Sequence, residues 1–104
     1  MNITYGQGGP LQAYYVLFGA FTGLDWTAVD AELTVLASHQ TSSAVQPLSP
    51  WTFEALSATS ARFTYIPNRL EFGGQFGDWR MVPTLTIDGE PLLVPSWNAR
   101  VNPQ

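Results

Sequence analysis

At 104 residues the chain has the length of one domain, and its charge is sparse: 12% of residues, with four Arg, no Lys and eight acids for a net −4. Nucleic-acid binding rests on clustered cations that release counterions, whereas Arg62, Arg69, Arg80 and Arg100 are scattered, so that class is excluded. With no cysteine there is no disulfide framework, thiolate metal site or Cys nucleophile. The longest apolar run, residues 13–21, falls short of the roughly 20 residues that span a bilayer, and no membrane partner is expected.

The N-terminal Met1-Asn2-Ile3-Thr4-Tyr5-Gly6 has neither the basic region nor the continuous apolar stretch of a signal peptide. Gly-Gln-Gly-Gly-Pro follows at 6–10, and residues 1–11 are expected to form a flexible arm, since Gly loses much entropy on ordering and Pro donates no hydrogen bond. A single domain is expected over 12–104. Residues 12–21 are aromatic and β-branched and read as a first, mostly buried strand carrying Tyr15 and Leu17 in the core.

From 30 to 38 the sequence alternates. Ala31, Leu33, Val35 and Ala37 share one face and Glu32, Thr34 and Ser38 the other, with Leu36 the exception. A short helix is the rival reading, because Ala, Glu and Leu are good helix formers. The period and the length favour a strand. Residues 39–50 are rich in Ser, Gln, Thr and Pro and read as a loop.

Alternation returns at 51–55, and again at 61–66, where Ala61, Phe63 and Tyr65 turn inward and Arg62 and Thr64 outward. Gly73-Gly74 and Gly77-Asp78 mark a second loop over 67–78. Trp79, Met81, Leu85 and Ile87 then alternate with Arg80, Val82, Thr84 and Thr86, with Pro83 marking a bulge or an edge position. Asp88-Gly89-Glu90 turns the chain, and residues 92–101 return it as a hairpin.

Short strands joined by Gly/Pro loops, with no sustained 3.6 period, specify an all-β fold: an Ig-like, two-sheet antiparallel β-sandwich of about seven strands. The expected core includes Tyr15, Leu17, Leu33, Val35, Phe63, Tyr65, Trp79, Leu85 and Ile87. The aromatic share of 13% fills such a thin sandwich with few residues.

Residues able to carry chemistry are few. His39 is the single histidine and has no H-E-x-x-H or H-x-x-x-H spacing, so it reads as a solvated loop residue. The acids Asp25, Asp30, Glu32, Glu54, Glu71, Asp78, Asp88 and Glu90 form no calcium-loop pattern and read as turn and cap residues. Neither glycine cluster has phosphate-loop spacing, and no Lys exists to reach a phosphate. No catalytic residue, metal or cofactor is expected, and the chain reads as a non-enzyme. The Trp residues read either as core or subunit-interface residues, with Tyr5, Trp26, Trp51, Trp97 and Arg100 as the interface candidates, or as exposed platforms of a carbohydrate-binding module.

The order of features resembles the Ig-like N-terminal domain of the phage baseplate upper protein family. An early apolar strand at 14–21 is followed by a strand after an acidic turn at 30–37. Next come Ser60-Ala61-Arg62-Phe63-Thr64-Tyr65, the Gly-rich stretch 73–77, the aromatic–Arg strand 79–87 and the turn Asp88-Gly89. The resemblance implies a structural protein of the tailed-bacteriophage virion, as a head decoration, neck or collar protein, or tail or baseplate adaptor. Such a protein would be located in the virion and would act by homo-oligomerisation and docking to other virion proteins. The 39–50 loop departs from the pattern, which has a short polar turn there.

Overall fold

The computed structural model describes residues 2–4, 12–67, 71–72 and 75–102. Its spine is a long antiparallel pair: β3, as chain order will number it, spans Ala31–His39, and β7 spans Gly77–Ile87. They stay in register from Ala31↔Ile87 to His39↔Trp79. Both strands alternate buried and exposed positions along their length, which is what one core-facing and one outer face require.

The remaining strands are β1 (Asn2–Thr4), β2 (Tyr14–Phe18), β4 (Val45–Pro47), β5 (Thr52–Ser57), β6 (Ser60–Tyr65), β8 (Glu90–Leu92) and β9 (Trp97–Asn102). Two sheets result. The larger has the order β1-β9-β7-β3-β4, with β8 also pairing β7, and the smaller is β2-β6-β5. In an immunoglobulin sandwich the smaller sheet corresponds to strands B, E and D, and β9-β7-β3-β4 to G, F, C and C′. The expected sandwich is therefore present, with nine strands among the described residues, of which β1, β4 and β8 are only three residues long.

Turn chemistry closes the hairpins. Asp88 and Gly89 both have positive φ (49° and 83°), the pair that a two-residue turn matched to strand twist demands. Asp88 also ties the turn to the start of β3: its N–H donates to the Asp30 carbonyl (2.8 Å), and its Oδ1 accepts from the Asp30 N–H (2.9 Å). After this turn the return strand is broken. β8 pairs only residues 85–87, and β9 pairs 77–81.

Pro83 lies at that break, inside an interior strand whose pairing with β3 has no bulge. The carbonyls of Leu33 and Val35 accept from Trp51 and Leu48, so odd-numbered β3 residues direct their backbone toward β4. By the alternation of an antiparallel ladder, Pro83 opposite Val35 aims its nitrogen away from β3, into the gap between β8 and β9. The missing N–H therefore costs no ladder bond.

The core lies between the sheets. Leu33, Val35, Ala37, Trp79, Met81, Leu85, Ile87, Ala99 and Val101 come from the larger sheet, and Ala61, Phe63 and Tyr65 from the smaller. Seven of the nine expected core residues are buried there. Tyr15 and Leu17 are not: they are 54% and 69% exposed. Their neighbours Tyr14, Val16 and Phe18 pack against the core instead, Phe18 meeting Phe63 edge-on at 5.4 Å. The run Tyr-Tyr-Val-Leu-Phe is apolar at every position, so its pattern carries no parity, and a one-residue shift exchanges the faces.

Two further expectations change. The 39–50 loop contains β4, which pairs β3 from Leu36↔Pro47 to Ser38↔Val45. The proposed arm is anchored at residues 2–4, where β1 runs parallel to β9 and Ile3 is fully buried. Residues 5–11 lie outside the described residues.

Candidate functional site

Three of the four tryptophans are interior residues, which corrects the interface reading for Trp26 and Trp51. Trp26 begins a single 3₁₀ turn, Trp26–Ala28, capped by the Asp25 side chain. It is fully buried among Phe18, Phe21, Phe53 and Phe63, and its indole N–H donates to the Gly19 carbonyl (2.9 Å). Trp51 is buried and stacks on Tyr65 at 4.9 Å and 14°. Trp79 is buried and donates to the Gln75 carbonyl (3.0 Å).

Trp97 is half-buried and meets Trp51 edge-on at 5.9 Å. Among the described residues the indole nitrogens of Trp51 and Trp97 have no hydrogen-bond partner. Arg100 is exposed and pairs with Asp78 at 3.2 Å. Tyr5 lies outside the described residues. The four described interface candidates are thus not assembled into one surface.

His39 is not a solvated loop residue. It ends β3 on the inward face, is buried, and lies against the Trp79 ring at 4.8 Å. Its Nε2 is 2.8 Å from the Phe76 carbonyl, which only accepts, so that nitrogen carries the proton. Nδ1 then accepts from the Ser42 N–H at 3.3 Å and lies 2.7 Å from the Ser42 hydroxyl.

A Ser–His contact invites a nucleophile–base reading, but the partners point elsewhere. Ser42 Oγ also contacts Gln75 Oε1 (2.7 Å) and accepts from the Ala44 N–H (3.3 Å). The imidazole is held by a carbonyl rather than by a carboxylate that would stabilise its charged form. The cluster ties the β3–β4 turn to the segment entering β7. Burial was not legible because the Ser/Gln-rich flanks look like loop.

Several carboxylates are likewise committed to structure. Glu54 pairs with Arg62 at 2.5 Å, and the Arg62 guanidinium lies over the Tyr15 ring at 5.2 Å. Glu71 accepts from the Ser49 backbone and hydroxyl and from the Tyr65 hydroxyl (2.5 Å), closing a loop over Trp51. Asp25 accepts from the Thr27 hydroxyl (2.6 Å) and N–H (2.9 Å), which hold its carboxyl below the ordinary value of 3.8. Among the described residues no three His, Asp or Glu side chains gather to hold a metal ion.

What the geometry does assemble is an uncharged stripe across the outer face of the larger sheet. Leu36 and Val82 stand directly opposite one another in the β3–β7 register, 50% and 46% exposed. Pro47 of β4 pairs with Leu36 on the other side, and Val45 is also exposed. Thr34 and Thr84 flank the pair on one side, and Ser38 and Arg80 on the other. Beyond Val82 the stripe runs into a shallow groove with Pro83, Leu92, Leu93 and Pro95, where Leu93 is fully exposed. The sequence signal was Leu36, the one apolar residue on the polar parity of its strand, with Val82 on the outward parity of the facing strand. Their pairing depends on register, which the sequence does not display.

Comparison with protein-family models, curated proteins and solved structures returned no match.

Proposed function

We propose that this chain is a structural component of a tailed-bacteriophage virion, a decoration, neck or tail adaptor subunit that self-associates and docks onto other virion proteins. The observation that carries the docking part is the uncharged Leu36–Val82 stripe on the outer face of the larger sheet. Contiguous apolar surface on a small monomer marks an interaction site, and the low overall charge makes burial of this face inexpensive in desolvation. The resemblance of the strand sequence to the baseplate upper protein family supplies the virion part, and the Ig-like strand order agrees with it. The carbohydrate alternative required coplanar exposed tryptophans. Trp26, Trp51 and Trp79 are buried and Trp97 is half-buried, so the platform is missing.

The test is co-sedimentation. Particles purified on a density gradient from a culture producing this chain are probed with antibody raised against the recombinant protein. The chain is expected in the particle band, and its confinement to the free-protein fractions overturns the virion reading. Leu36→Asp, an exposed substitution, is expected to remove it from that band while leaving its thermal unfolding within a few degrees of the parent.

A further inference from the structure

The outer face of the larger sheet carries an acid on one side of the Leu36–Val82 stripe and an arginine on the other. On this face the β3–β7 ladder reads, rung by rung, Glu32 opposite Thr86, Thr34 opposite Thr84, Leu36 opposite Val82 and Ser38 opposite Arg80. Glu32 and Arg80 are both exposed and stand on different strands at the two ends of these four rungs. Three rungs amount to about 20 Å of antiparallel strand, so the two cannot meet within one copy.

Among the described residues neither has an opposite charge beside it. The ion pairs there are Glu54 with Arg62 and Asp78 with Arg100. Arg80 donates instead to two neutral oxygens, Asn98 Oδ1 at 3.3 Å and Ser96 Oγ at 2.7 Å, which hold its guanidinium against the sheet. Water solvates an exposed charge well enough alone. The informative feature is the order of acid, apolar pair and base along one face, because that order is complementary to itself when turned end for end.

We infer that this face packs against the same face of a second copy of the chain, each Glu32 pairing with the Arg80 of the other copy. Such packing is the self-association proposed above, located on the stripe, and it rests on that reading. The two-fold axis lies between the faces and crosses the strands at the centre of Thr34, Thr84, Leu36 and Val82. Glu32 of each copy then lies over Arg80 of the other, and Leu36 and Val82 over the threonines of the facing copy. Two ion pairs form, one at each margin, with the apolar side chains enclosed between them. Stacked sheets sit about 10 Å apart, a gap that side chains of this size fill from both sides.

The charge balance of the face favours a second copy over a partner of single sign. The whole chain carries −4. The charged residues on the outer parity of β3, β7 and β9 are Glu32, Asp78, Arg80 and Arg100, two of each sign. Two copies therefore approach here without the repulsion of the whole chain. A uniformly positive or negative partner satisfies one margin and meets like charge at the other. The contact has no aromatic anchor, and ion pairs at an exposed rim contribute little, so dimerisation is expected at roughly 1–100 µM.

Light scattering coupled to size exclusion, over a concentration series of the full chain, measures the wild-type dimer first. Glu32→Arg sets arginine against Arg80 in both pairs, and Arg80→Glu sets glutamate against Glu32 in both. The two positions are exposed, so circular dichroism and melting curves should match the parent. Each variant alone is expected to dimerise at least about tenfold more weakly. Mixed in equal amounts, the two should form a dimer with one copy of each, because every pair then joins opposite charges. A wild-type dimer that neither substitution weakens, or variants that stay apart when mixed, overturns the face-to-face pairing and leaves self-association standing. A wild-type chain that stays monomeric across the series overturns both, whereas its presence in particles is read separately by the antibody.

Discussion

At the residue scale, Trp26 illustrates how one side chain organises the neighbourhood it enters. The Asp25 cap turns the chain so that the indole drops between the sheets, where four phenylalanines surround it and Gly19 accepts its N–H. Trp26→Ala removes all of these contacts and leaves a cavity, so a loss of about 3–5 kcal/mol is expected in urea denaturation; less than about 1 kcal/mol would mean the site collapses around the gap. The cap itself responds to pH. Because the Thr27 hydroxyl and N–H hold the Asp25 carboxyl below 3.8, the folded chain favours its ionised form. That contribution is present above 3.8 and is lost as pH falls through the lower folded value. Asp25→Ala should therefore melt below the parent near neutral pH, and the two melting curves should converge as the solution is acidified below 3.8. Sequence alone identified Asp25 as a turn residue but not the burial of the tryptophan after it. A single aromatic between polar neighbours has no period from which to read a face.

At the scale of the element, legibility followed length. β3 and β7 are nine and eleven residues long and alternate along their whole run, so their inward residues Leu33, Val35, Trp79, Leu85 and Ile87 were readable from the chain. β1 and β4 are too short to show a period, and β2 shows only apolar residues. These are the strands whose placement the sequence left open, and one of them holds residues of the candidate surface: Val45 and Pro47 of β4, on the docking stripe. Pro83 was visible as an irregularity, and its setting explains why β7 tolerates it. Pro83→Ala loses no ladder bond, only the stiffness of the unfolded chain and the packing of a small buried ring, and should cost about 1 kcal/mol. Thr84→Pro, one residue on, removes a donor that faces β3 opposite Thr34, and should cost at least about 2 kcal/mol. Chemical denaturation of both variants checks the ladder's phase; equal effects would contradict it.

At the scale of the whole molecule, the Ig-like order places the Leu36–Val82 stripe on the outer face of the larger sheet, away from the smaller one. The smallest strand contributes to the whole through one side chain. Ile3 is fully buried beside β9, so Ile3→Ala should cost about 2–5 kcal/mol by denaturation, and a neutral result would show that β1 is dispensable. The pairing of β1 with β9 also orders events in time: β1 must wait for β9, which every other described strand precedes in the chain. Until β9 is made, Ile3 has no strand to lie against, and Trp79 and Met81 lack their neighbours on it. A copy interrupted before Trp97 therefore has no route to the finished sandwich.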